Sequence, residues 1–119
     1  MIERGSATVE LALLIPVILL LLVMIVEVAR VAQLQIELVG AAREGARVAA
    51  TTPDPAAALA AATDALGSRS GEARVAVHRP HVVGAPAEVK VSLQYRVGLP
   101  LLDSITVPLS ARAVMRVER

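Results

Sequence analysis

The chain has 119 residues, with twelve basic and eleven acidic side chains, a formal net charge of +1, one aromatic residue and no cysteine. The absence of any long run of one sign, and of aromatic surface for base stacking, speaks against a nucleic-acid-binding class. The lack of cysteine leaves the redox compartment open. A core built from Val, Leu, Ile and Ala without aromatic rings makes a domain of this size marginal by itself, so a membrane helix or partner subunits are expected to support it.

Residues 1–5 are a short polar leader carrying Glu3 and Arg4. Residues 6–50 read as one continuous helix, apolar first and amphipathic later. Its residues 11–26 are uninterruptedly apolar and span roughly 24 Å at the helical rise. With the small residues 6–9 and the flank to 29, the segment is long enough for the ~30 Å hydrocarbon core of a bilayer. Pro16 lies inside the run, where it removes one backbone donor and predicts local loosening that a membrane helix tolerates. Beyond Val26, the polar residues Glu27, Arg30, Gln33, Glu37, Glu44 and Arg47 form a stripe expected to face solvent. Val28, Val31, Leu34, Leu38, Ala42 and Ala49 form the face expected to pack. Glu27 with Arg30, and Glu44 with Arg47, are spaced to pair across one helical turn.

In residues 51–67, Asp54 is placed to cap a short alanine-rich helix, with Pro55 in its first turn and Gly67 after its end. Leu59, Ala62 and Leu66 are expected to face inward. The rest alternates with period two. Val75 and Val77 share one face; so do Val89, Val91, Leu93, Tyr95 and Val97; so do Ile105, Val107, Leu109, Ala111, Ala113, Met115 and Val117. Pro80 and Pro86 bound the first link, and Pro108 predicts an edge or a bulge. The fold class is therefore α+β: a long amino-terminal membrane-spanning helix continuing into an amphipathic half, a short second helix, and a small three-stranded antiparallel sheet. The expected division is a leader over 1–5, a transmembrane helix over 6–29, and an extracytoplasmic α+β domain over 30–119.

Three features bear on function. The pair His78 and His81 straddles Pro80 and lacks the helical spacing and acid of a zinc protease; Ser, His and Asp are scattered with no nucleophile signature; and "GSRSGE" lacks the Lys of a phosphate loop. The chain is read as non-enzymatic, with no metal and no cofactor. In "GLPLLDS", Leu99, Leu101 and Leu102 occupy a link between strands where polar residues are usual. They either cap the domain's own core or contact another subunit or the bilayer surface. The third feature is Glu10, which immediately precedes the apolar run. A carboxylate inside a bilayer costs up to roughly 3 kcal/mol on insertion scales and normally has a partner. Either it marks the water end of the helix, or it meets an amine: a cut between Gly5 and Ser6 would give Ser6 a new α-ammonium four residues before Glu10.

A basic residue and glycine, then a glutamate five residues after the glycine, then an unbroken apolar helix resembles the type IV pilin class. More narrowly, "GSATVELALLIPVILLLL", the later "AAREGARVAA" and the closing "SARAVMRVE" resemble the TadE-like family, pseudopilins of tight-adherence (Flp-type) pilus systems. The family commonly has phenylalanine where this chain has Leu11, a conservative departure in lipid. The resemblance implies cleavage by a prepilin peptidase between Gly5 and Ser6, a role for Glu10 in assembly, and partnership with other pilin subunits, the pilus membrane platform and the lipid bilayer. It implies the bacterial inner membrane as the location, with the carboxy-terminal domain outside the cytoplasm or carried into a surface pilus. A conventional cleaved signal peptide fits poorly, because cutting after Ala29 or Ala32 puts Glu27 or Arg30 at the position that needs a small residue. An unprocessed single-pass anchor serving an export system is the remaining alternative; the flanking Arg4 and Arg30 give no charge asymmetry with which to orient the span.

Overall fold

The computed structural model describes residues 2–100 and 105–118. One helix, α1, runs unbroken from Ile2 to Thr51, through Pro16 and through the residues read as leader. It is followed by α2 (Pro55–Leu66), a single 3-10 turn (Gly67–Arg69), and strands β1 (Ala73–His78), β2 (Pro86–Val97) and β3 (Ile105–Arg116). The strands form one antiparallel sheet in the order β1-β2-β3. This is the expected α+β architecture, drawn out to 82 × 22 × 18 Å by the length of α1.

The two halves of α1 have opposite surroundings. Residues 4–22 are exposed throughout, including Leu11, Leu13, Leu14, Leu19, Leu21 and Leu22. So large a continuous apolar surface is not stable in water, and the helix is long and apolar enough to cross a membrane. The second half is the spine of the domain. Leu34, Leu38, Ala42, Ala46 and Ala49 are buried against Ala58, Ala62 and Leu66 of α2 and Ala87, Val89, Val91 and Leu93 of β2.

Small residues set how closely the layers approach. A Cβ at Gly45 would lie 2.9 Å from Ala62 Cβ and 3.0 Å from Val89 Cγ1, so α1, α2 and β2 meet where only glycine fits. This contact also sets the phase of α2. The buried row is Ala58, Ala62 and Leu66, while Leu59, expected inside, is 43% exposed. The side chain of α2 opposite Gly45 is Ala62, and the Ala58 carbonyl also approaches the same Cβ position to 3.4 Å. The face of α2 that carries the small residues Ala58 and Ala62 therefore turns inward and Leu59 turns out.

The stripe along α1 is corrected at its start. Val28, expected to pack, is exposed, and Glu27, expected to be solvated, is buried. Glu27, Val31, Leu34, Leu38 and Ala41 follow alternating steps of four and three, the spacing of one helix face, and Val28 lies a helical step of about 100° away from it. Glu37 is also not merely solvated: its carboxylate accepts from Arg69 Nε at 2.8 Å, which ties the 3-10 turn to α1. The expected Glu44–Arg47 pair forms at 2.6 Å on the exposed side.

Caps behave as their residues predict. The Asp54 side chain accepts from the Ala56 N–H at 3.0 Å, Pro55 opens α2, and Gly67 has φ of 58° after its end. The carboxyl end of α1 is closed from far along the chain: Arg79 Nε donates to the Ala49 carbonyl at 2.7 Å and the Glu118 N–H to the Ala50 carbonyl at 2.9 Å. These satisfy carbonyls that a helix leaves orphaned. The Val117 backbone also exchanges hydrogen bonds with the β1–β2 link, at Gly84 and Ala85. Pro108 sits within β3, opposite Gln94, on an edge strand where its missing N–H is tolerated. The alternation of β3 holds over Val107, Leu109, Ala111 and Ala113, whereas Ile105 and Met115 near its ends are exposed.

Candidate assembly site on the membrane helix

Gly5, Ser6, Val9, Glu10 and Leu13 share one face near the start of α1, as positions one helical turn apart must. The structure thus places three of the sequence-predicted site residues, Gly5, Ser6 and Glu10, side by side. Glu10 is exposed and, among the described residues, has no hydrogen-bond or ion-pair partner. Gly5 has open space around it: a Cβ there would meet nothing within 4 Å. The Thr8 hydroxyl donates to the Arg4 carbonyl at 3.0 Å, a bond that spans the Gly5–Ser6 peptide. The peptide is therefore helical in the intact chain.

Leu99 lies apart from this face. It lines an apolar cleft of about 250 Å³ with Met24, Val28, Val31, Val97 and Val107, and the neighbouring Pro100 borders a second cleft with Pro16, Val17, Leu20 and Val23. Leu99 and Pro100 therefore lie along the apolar part of α1, which supports their packing on the chain's own helix. Leu101 and Leu102 lie outside the described residues.

Glu27 in the first cleft forms the expected pair with Arg30 and, beyond what its spacing indicates, is buried against Tyr95. Glu27 Oε2 accepts from the Tyr95 hydroxyl at 2.8 Å, and Glu27 Oε1 accepts from Arg30 Nη1 at 3.2 Å. The Glu27 side chain is only 9% exposed. Both carboxylate oxygens are thus satisfied, the condition under which a buried charge is tolerated. The hydrogen bond to Glu27, then burial and the carboxylate's negative charge, hold the Tyr95 phenol above its usual pKa. The available signals were the register of Glu27 with the buried stripe and the inward position of the one aromatic residue.

His78 is exposed at the end of β1, and His81 in the following bend. No group of three or more His, Asp or Glu able to hold a metal occurs among the described residues.

A family model described as TadE-like protein matches residues 5–47. The matched stretch begins at Gly5, covers the exposed apolar half of α1 and ends within its buried half. It bears out the resemblance read from the sequence there; the strands lie beyond it. The family is one of pilus-associated structural proteins. No curated protein and no solved structure matches the chain.

Proposed function

We propose, from the TadE-like match over residues 5–47 and the arrangement of Gly5, Ser6 and Glu10, that this chain is a pseudopilin or minor pilin. It serves assembly of a tight-adherence (Flp-type) pilus or a related secretion apparatus. It is made as a single-pass precursor in the bacterial inner membrane, with residues 30–119 outside the cytoplasm, and a prepilin peptidase cuts it between Gly5 and Ser6. Its role is structural, and its partners are that peptidase, other pilin subunits, the membrane platform and the bilayer.

The observation that carries this reading is the unpartnered Glu10 one turn from Ser6 on an exposed helix face. In the precursor an ionised carboxylate at the membrane surface remains hydrated. Drawn among the apolar helices of a bundle, it requires a cation. Cleavage creates one, the α-ammonium of Ser6, on the same chain or on a neighbour. The open surroundings of Gly5 and the exposure of its helical turn fit access by a protease.

Amino-terminal sequencing after co-expression with a cognate prepilin peptidase tests the reading. The mature chain is expected to begin at Ser6, and Gly5→Val is expected to block the cut without disturbing the fold. A chain that still begins at Met1 after exposure to an active peptidase overturns it in favour of an unprocessed anchor.

A further inference from the structure

The face of the sheet turned away from α1 is strongly basic, although the chain as a whole is almost neutral. Period-two alternation puts Arg74 of β1, Lys90 and Arg96 of β2, and Arg112 and Arg116 of β3 on that face, all exposed. Glu88 is the only acidic residue in the three strands. It pairs with Arg112 at 3.3 Å; Arg74, Lys90, Arg96 and Arg116 form no ion pair among the described residues. Lys90 stands directly opposite Arg112, with Ala76 on its other side. Like charges in that relation are mutually unfavourable, and an anion bridging them would relieve it.

A recess interrupts this face. β1 pairs only as far as Ala73 with Leu93, whereas β2 continues to Val97 beside β3. The step leaves a cavity of about 350 Å³ lined by Glu72, Arg74, Ser92, Leu93, Gln94 and Pro108. Its lining combines a guanidinium, a hydroxyl, an amide and a carboxylate with the apolar ring of Pro108. A guanidinium suits a carboxylate bidentately, the other polar groups suit hydroxyls, and the proline ring suits the face of a sugar.

We propose that this face binds a linear acidic polysaccharide. One sugar sits in the recess with its carboxylate on Arg74, and further carboxylates follow the cations between Arg96 and Lys90, about 20 Å along β2. Three observations favour this partner over other polyanions. Tyr95 lies near Glu27 at the end of the apolar run and Glu118 is bonded to Ala50, so the strands stand alongside the second half of α1, beyond its apolar run. A bilayer crossed by that helix therefore meets only the Arg96 end of the face. The face also carries no Phe, Tyr or Trp on which a nucleic-acid base could stack, and its one imidazole, His78, lies at the far end of β1 from the recess. Finally, the recess offers hydroxyl partners beside its cation, which a bare electrostatic patch lacks. The proposal does not depend on whether the chain is processed.

Calorimetric titration of the full-length chain in phosphatidylcholine nanodiscs with polygalacturonate oligomers tests it. Binding is expected at low salt, weakening as ionic strength rises, with neutral dextran inert. Replacing Arg74→Gln and Lys90→Gln together is expected to lower affinity by about tenfold or more, as loss of charge-assisted bonds implies. Replacing Arg43→Gln and Arg47→Gln, the same charge change on the helix side, is expected to alter it by less than about twofold. Thermal melts of each variant confirm that the fold is kept; Lys90→Gln removes a repulsion and is not expected to harm it. Absence of polygalacturonate binding, equal losses in the two double variants, or equal binding of dextran overturns the proposal.

Discussion

The Tyr95 hydroxyl donates a 2.8 Å hydrogen bond to Glu27, the residue that ends the apolar run of α1. This bond joins the sheet to α1 just past its apolar run, and with the Arg30 contact it fixes how the domain stands on its stalk. Tyr95→Phe removes the hydroxyl and leaves one oxygen of a buried carboxylate without its donor, a change that costs about 1–3 kcal/mol. Thermal or denaturant unfolding of the full-length chain in detergent should show that loss. A variant as stable as wild type would mean that water replaces the hydroxyl.

The same contact sets a pH dependence. The Glu27 hydrogen bond raises the Tyr95 pKa above its ordinary value of 10.0. A group whose pKa is raised by folding favours the folded state while it stays protonated. The contribution is therefore complete below pH 10 and is lost as pH climbs through the raised value. With one tyrosine and no tryptophan, phenolate absorbance reports this residue alone. Its midpoint should lie above that of the unfolded chain, and Glu27→Gln should bring it down. Coincident midpoints in the folded and unfolded chain would refute the contact.

Two glycines on α1 should respond in opposite directions. Gly45→Ala forces a methyl into Ala62 and Val89, and overpacking of this kind costs about 1–3 kcal/mol, more than the ~1 kcal/mol that alanine gains in helix propensity. Gly40 is exposed with open space around its Cβ position, so Gly40→Ala should gain about 0.5–1 kcal/mol. Melting temperatures that rise for both would show that the layers are less tightly packed at Gly45.

Glu10 is expected to matter for assembly and not for insertion, processing or folding. Glu10→Ala and Glu10→Gln should both process normally and unfold as wild type does. On the proposed function, both should crosslink less to pilin subunits, the Gln variant separating charge from polarity. Crosslinking yields equal to wild type for both would reduce Glu10 to a marker of the helix end.

The regular elements were legible because their signals are periodic or local. The unbroken helix, the Asp54 cap, the parity of the strands, the edge position of Pro108 and the adjacency of Gly5, Ser6 and Glu10 all follow from residue spacing. What was missed depends on tertiary contact. The charge of Glu27 suggests solvent, and only its meeting with Tyr95 makes burial affordable. In α2, so many alanines give little contrast between faces, and the phase is set by Gly45 on another helix. The basic sheet face is invisible along the chain because its cations lie on three separate strands and gather only through pairing.

The closure of α1 by Glu118 has a consequence for the order in which the molecule is made. Helix α1 leaves the ribosome before the strand whose end closes the domain, which follows it by more than sixty residues. At roughly 5–20 residues per second, several seconds separate synthesis of this helix from completion of the fold. During that interval the stripe from Leu34 to Ala49 has no sheet to cover it. On the proposed function, the nascent chain is thus membrane-anchored before it is foldable, and the bilayer rather than the finished domain holds it in place while the last strand arrives.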